Sequence, residues 1–269
     1  MYKTARAVIG SRSAAVFSAF CYTLFGYHLL DVFVRGDLSE GFSFVWMPLV
    51  FLLFWRSLRG GDGLHRNSIL CGLALALLIL THVLIGLLQM AWLLIYSIML
   101  VVARGVRAKG ETGLRELSAP LRSCGICFAV GLTTTAFFLI PALVEIRYAT
   151  ISTYGFSGWF NPFNHFISVG QVIRRVPWSA GLYPMESPRL PMYLGNVVLF
   201  TALTSALTLR RRDHAFWALY VSGVFLLLFP TTCLVPLVRA LYVQPASHLL
   251  DALQFPWRGF AILGFVASL

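Results

Sequence analysis

The stretch NSILCGLALALLILTHVLIGLLQMAWLLIYSIMLVVA, residues 67–103, contains no Asp, Glu, Lys or Arg. Its reading decides the fold. As one helix it would extend over about 55 Å at 1.5 Å per residue, against a hydrocarbon core of about 30 Å. As a hairpin turning near Thr81–Gly86 it makes two short spans. The flanking charges choose between the two. Arg56, Arg59 and Arg66 precede the stretch, and Arg104, Arg107, Lys109, Arg115 and Arg122 follow it. A hairpin returns both clusters to one side, with Lys3, Arg6 and Arg12 before them and Arg210, Arg211 and Arg212 after. That side then holds fourteen Lys and Arg, against seven on the other: Arg35, Arg147, Arg174, Arg175, Arg189, Arg239 and Arg258. The basic excess marks a cytoplasmic side, so the hairpin is expected, with a cytoplasmic N-terminus.

The whole chain carries the same signature. Of its 269 residues 58% are hydrophobic and 12% charged, about half the charge of a soluble domain. Its reading is an all-α polytopic transmembrane helix bundle in one membrane domain, 1–269. The expected spans are 13–30, 41–55, 67–82, 86–103, 123–143, 192–208 and 214–230. An eighth run, 259–269, stops in the middle of a span, and a fragment is expected. The net charge of +11 is explained by topology and by contact with an anionic lipid bilayer; no nucleic-acid partner is expected. The basic N-terminus before an apolar run has no Ala-x-Ala-like cleavage site and reads as the approach to a retained span.

The acids divide differently from the bases. Asp31, Asp37, Glu40, Glu145, Glu186 and Asp251 fall on the outer side, where charge is nearly balanced. The stretch Tyr27–Glu40 packs His28, Asp31, Arg35, Asp37 and Glu40 between two apolar runs. A charge at a helix centre in a bilayer costs roughly 2.5–3.5 kcal/mol on insertion scales, so charges kept this close to one are site candidates. Asp31, Asp37 and Glu40 are the candidate catalytic acids. Asp37-Leu-Ser-Glu40 also reads as a capping box, in which Asp37 accepts from the first amides of a helix and Glu40 reaches back. The two readings are compatible. Asp37 and Glu40 are candidate ligands for a divalent cation, the one cofactor considered. Arg35, beside Gly36, suits bidentate contact with phosphate. His82 at the hairpin tip is either a helix-end hydrogen-bonder or part of the site. Glu145 lies one turn beyond Pro141 and would pair with Arg147 or, across the bundle, with Arg258.

The long outer loop 144–191 carries Trp159, Phe160, Phe163, Phe166 and Trp178 around Arg174 and Arg175. It reads as an interfacial anchor, with the arginine pair a candidate phosphate contact. Cys124-x-x-Cys127 has redox or zinc spacing, but it lies inside a span with no second pair, and the five cysteines read as small apolar residues. Phosphate-loop, dinucleotide, nucleophile-elbow and zinc-protease motifs are absent from the sequence.

Tyr27-His28-Leu-Leu-Asp31, Arg35-Gly36, Glu40, Met47-Pro48-Leu49, Thr81-His82, Phe137-Phe138-Leu139-x-Pro141-Ala142-x-x-Glu145 and Phe255-Pro256-Trp257-Arg258 occur in that order. Together they resemble the bacterial membrane proteins called "6-pyruvoyl-tetrahydropterin synthase-related". The likeness covers about residues 22 to 258, and the order of the short motifs carries it. It implies an integral protein of the bacterial cytoplasmic membrane, similar in layout to GT-C-type glycosyltransferases. Those enzymes use polyprenyl-phosphate sugars, with an outer-face acid as base or metal ligand, usually in the first outer loop. Pterin chemistry is not expected, since the six histidines are scattered and none forms a His-x-His.

The expected function is therefore a membrane glycosyltransferase acting on a polyprenyl-phosphate-linked sugar at the outer face. The alternatives are a lipid-linked substrate transporter or flippase and a non-catalytic scaffold in envelope-polymer assembly. Transport would place charges at mid-span, and these sit at one face.

Overall fold

The computed structural model describes residues 1–58, 63–105, 110–145, 214–228 and 258–269, with 148, 166, 170 and 200 standing singly. The described residues are helical, with no strand among them. In chain order the helices are α1 (Tyr2–Ile9), α2 (Arg12–Thr23), α3 (Gly26–Leu30) continuing into a π-helical turn (Asp31–Arg35), α4 (Leu38–Ser57), α5 (Gly63–Thr81), α6 (Val83–Gly105), α7 (Gly110–Glu145), α8 (His214–Leu228) and α9 (Gly259–Ala267).

Five stretches are long and apolar enough to cross a membrane: Arg12–Arg35, Leu38–Ser57, Leu64–Thr81, Val83–Gly105 and Ser118–Glu145. They coincide with the first five expected spans, and their bounds differ in an informative way. The first runs on to Arg35 instead of ending at residue 30, because Asp31 and Arg35 pair one turn apart and carry the helix through the charged stretch. The expected hairpin is present, with α5 ending at Thr81 and α6 beginning at Val83. The expected span 192–208 lies outside the described residues, apart from Phe200. The runs at 214–230 and 259–269 form α8 and α9.

Gly86 permits so tight a turn. A Cβ there would lie 2.6 Å from Ile79 Cγ1 of α5, so only glycine lets the two helices start apart so closely. Gly72 does the same for α5 against α7, where an added Cβ would meet the Cys127 carbonyl oxygen at 2.7 Å. Close approach through small residues is how helices gain packing energy in lipid.

Proline is accommodated inside α4. Pro48 has no N–H, which leaves the Phe44 carbonyl without its helical donor. The Tyr22 hydroxyl of α2 donates to that carbonyl at 2.7 Å. The Thr4 hydroxyl of α1 donates to the Pro48 carbonyl itself at 2.9 Å. Polar backbone freed within a membrane needs such partners. Gly10, at φ 83, breaks the N-terminal helix and folds α1 back beside α2.

The core is aromatic. Phe51 of α4 lies 5.2 Å from Trp92 of α6 and 5.3 Å from Phe265 of α9 between ring centroids. Trp92 Nε1 donates to Ser222 Oγ of α8 at 3.1 Å. Large apolar side chains also face outward, with Phe137 72% and Leu143 69% exposed on α7. Water would not tolerate so much exposed hydrocarbon, whereas lipid does.

Candidate functional site

The charged residues of 27–40 gather at one end of the bundle. The π turn Asp31–Arg35 is closed by Gly36, whose φ of 67 suits glycine. Such turns widen a helix and recur at functional sites. The turn places Arg35 against three carboxylates. It pairs with Asp31, with Glu40 at 3.1 Å and with Asp37 at 3.5 Å.

Asp37 is the N-cap of α4. Its Oδ1 accepts from the Glu40 amide at 3.0 Å and from Ser39 Oγ at 2.8 Å. The cap half of the expected capping box is therefore present. The other half is not: the Asp37 amide donates to the Asp31 carbonyl at 3.2 Å, and the Glu40 side chain turns inward. Glu40 is fully buried. It takes the Tyr27 hydroxyl on Oε1, and on Oε2 it meets Arg35, Arg258 Nε at 3.4 Å and His82 Nε2 at 3.8 Å. Partners of this strength outweigh one reach-back bond to the Asp37 amide, which the Asp31 carbonyl already takes.

His82 is the single residue between α5 and α6. Its Nδ1 accepts from the Ile85 amide at 3.3 Å, capping α6. In a neutral imidazole the proton then sits on Nε2, which faces Glu40. Burial holds His82 below the usual histidine range, although Glu40 pulls the other way. Thr81 next to it accepts from Trp46 Nε1 at 3.1 Å, pinning the hairpin tip to α4. Asp37 is less buried. Its partial burial works to raise the carboxyl, but the Glu40 amide, Ser39 and the Arg35 guanidinium overcome this and hold it below the usual carboxylate value.

Asp31, Arg35, Asp37, Glu40, His82 and Arg258 thus form one cluster drawn from four parts of the chain. Glu145 is exposed at the end of α7, and Arg258 pairs with Glu40 rather than with it, because Glu40 is buried beside the start of α9. Arg147, Arg174 and Arg175 lie outside the described residues. Tyr27 was not among the expected site residues. Its signal was its spacing, since Tyr27, Asp31 and Arg35 recur every four residues along one helical face.

Asp37, Glu40 and His82 each offer one ligand atom, and these atoms lie within 4.8 Å of one another. The set does not fit a divalent cation. Two guanidiniums already neutralise Glu40 Oε2, and both would repel a dication. The lone pair of His82 is committed to the Ile85 amide, so Nε2 presents a proton. The arrangement instead holds an ionised carboxylate, Asp37, at the rim of a buried network with two arginines.

Compared with protein-family models, with curated proteins and with solved structures, the chain matches none.

Proposed function

We propose that the protein is a membrane-embedded transferase of GT-C-like layout. It moves a sugar from a polyprenyl-phosphate donor at the outer face of the bacterial cytoplasmic membrane. The observation that carries the reading is the cluster itself: three carboxylates and two arginines converge from distant parts of the chain at one end of an apolar bundle. In this reading the cluster meets the head group of a lipid phosphate at the membrane edge. The surplus of Lys and Arg in the loops opposite supports a cytoplasmic N-terminus and an outward-facing cluster. In this reading 192–208, α8 and α9 complete seven spans and begin an eighth.

Each residue has a role. Arg35 and Arg258 supply positive charge to the donor phosphate, with Arg174 and Arg175 as further candidates. Asp37, ionised at neutral pH and the least buried of the acids, accepts from the acceptor hydroxyl. That oxygen bonds to the anomeric carbon, and the bond from this carbon to the phosphate oxygen breaks. The lipid phosphate leaves with its negative charge, and the hydroxyl proton passes to Asp37. Asp31 and Glu40 hold the arginines in place, and His82 closes the network from the hairpin. The step needs no metal.

The test is transfer by purified protein in lipid nanodiscs, from a polyprenyl-phosphate hexose to an added glycan acceptor. Asp37→Asn, which keeps a capping oxygen, should abolish turnover while remaining folded, losing only the modest stability that the ionised carboxylate contributes beside Arg35. Full turnover by that variant would remove Asp37 from the chemistry.

A second reading has one observation in its favour. Glu40 is saturated by Tyr27, Arg35, His82 and Arg258, as a purely structural ion cluster would be. A non-catalytic scaffold in envelope-polymer assembly would keep its function when Asp37 is neutralised.

A further inference from the structure

Two of the cysteines meet inside the bundle. Cys71 of α5 and Cys127 of α7 place their sulfurs 3.0 Å apart. Both side chains are buried, at 0% exposure, and both helices are among those long and apolar enough to cross a membrane. Non-bonded carbons are at ease at about 3.5–4.0 Å, and sulfur is the larger atom. Apolar packing alone does not bring two sulfurs so close.

The crossing of the two helices explains the contact. A Cβ added to Gly72, next to Cys71, would lie 2.7 Å from the Cys127 carbonyl oxygen. One added to Gly131, a turn beyond Cys127, would lie 3.3 Å from the Gly72 carbonyl oxygen. The backbones therefore touch where the thiols lie. A disulfide asks for such an approach, since its Cα atoms stand about 4.4–6.8 Å apart. The partner is not the one that the spacing Cys124-x-x-Cys127 suggests. Cys124 hydrogen-bonds with Ser97 of α6, and Cys127 meets α5.

The protons can be placed. Cys71 Sγ donates to the Val50 carbonyl of α4 at 3.4 Å. Its lone pairs are left for Cys127, whose S–H donates into the pair. Exchange with a water-soluble disulfide needs a thiolate as the attacking group, and a thiolate here would be a charge within the bilayer. A lipid-soluble two-electron acceptor needs none.

We propose that Cys71 and Cys127 are a dithiol centre oxidised within the membrane by a quinone. The S–S bond forms between them as both S–H bonds break. Two electrons and two protons pass to the quinone, which leaves as the quinol, so no charge is created at the site. The bond ties α5 to α7 where their backbones touch, and it fixes the helix that ends beside His82. Cys71 lies eleven residues before His82, about 16 Å along the helix. The pair thus stands apart from the charged cluster and does not depend on sugar transfer.

The full-length chain in nanodiscs, reduced and freed of reductant under anaerobic conditions, is mixed with a short-chain quinone. The quinone is fully substituted, so that no thiol adds to its ring. One quinol should form per chain. The thiols titrated after denaturation should fall from five to three, and peptide mapping should join Cys71 to Cys127. The oxidised protein should melt above the reduced one. Glutathione disulfide, charged and water-soluble, should leave five thiols over the same interval. Cys71→Ser and Cys127→Ser should each yield no quinol and keep their four thiols, whereas Cys124→Ser should still form one quinol. Melting of the reduced variants is the folding control, and where a serine variant does not fold the linkage mapped in wild type decides. Five thiols in wild type after quinone treatment, or a bond from Cys124 to Cys127, would overturn the dithiol centre. Oxidation by glutathione disulfide as fast as by the quinone would overturn the lipid-soluble oxidant.

Discussion

Arg258 and Glu40 are 218 residues apart in sequence and 3.4 Å apart in space. The pair is buried on both sides, with side-chain exposures of 8% and 0%. It fastens α9 to the N-terminal turn of α4. Leaving a buried charge with no partner costs about 3–5 kcal/mol, and removing one member here costs a part of that, since Arg35 still meets Glu40. Arg258→Ala and Glu40→Ala should each lower the melting temperature strongly in detergent. The double variant should melt well above the value expected from adding the two effects, and simple additivity would mean that the two residues do not interact.

Tyr22 and Pro48 should be coupled in the same way. Tyr22→Phe exposes the Phe44 carbonyl that Pro48 leaves without a donor. In a membrane such a bond is worth about 0.6–2 kcal/mol. In a Pro48→Ala background the Ala amide can serve that carbonyl, and Tyr22→Phe should then cost almost nothing. Denaturant titrations of the four proteins measure the coupling.

Gly72→Leu should be far more damaging than a substitution on the lipid-facing side of the same helix, such as Leu73→Ile. The new side chain must displace the Cys127 carbonyl and the Val130 side chain of α7, and overpacking of this kind costs typically 1–3 kcal/mol or more. Equal melting temperatures for the two variants would contradict the α5–α7 packing.

Acid should loosen the cluster in two stages. His82 has a folded pKa below its unfolded value of 6.5. Below 6.5 the unfolded chain therefore binds more protons, and stability falls with pH from there. Asp37 has a folded pKa below its unfolded 3.8. Its contribution is present above 3.8 and is lost as pH falls through the folded value. His82→Asn, which keeps a cap for α6, should flatten the first stage and leave the second. Melting curves across the acid range decide this.

The first five spans were legible because charge-free runs have no other use at that length. The turn at His82 was legible because only a hairpin brings the two basic clusters to one side. The bend at Asp31–Arg35 was read as a break, since a run of charges resembles a loop until its members are seen to pair. Glu40 reads from the sequence both as a candidate site acid and as half of a capping box, a pattern local to four residues. Its true partners include Arg258, and no local pattern carries information across 218 residues. For the same reason Glu145, near a proline kink and a neighbouring arginine, looked like the partner that Arg258 does not take.

Orientation has its own test. A cysteine placed at Ser39, beside Asp37 at the start of α4, should react with an impermeant thiol reagent added to intact cells. Labelling only after the membrane is opened would put the cluster on the cytoplasmic side and remove an outer-face reaction.

The most direct measurement of the central claim is the glycolipid and surface-polysaccharide profile of a strain lacking the gene, complemented with wild type or with Asp37→Asn. The account predicts that one glycan species disappears on deletion and returns with wild type. It should not return with a variant that is present in the membrane at normal level. A profile restored by Asp37→Asn, or one that deletion leaves unchanged, would contradict sugar transfer at this cluster.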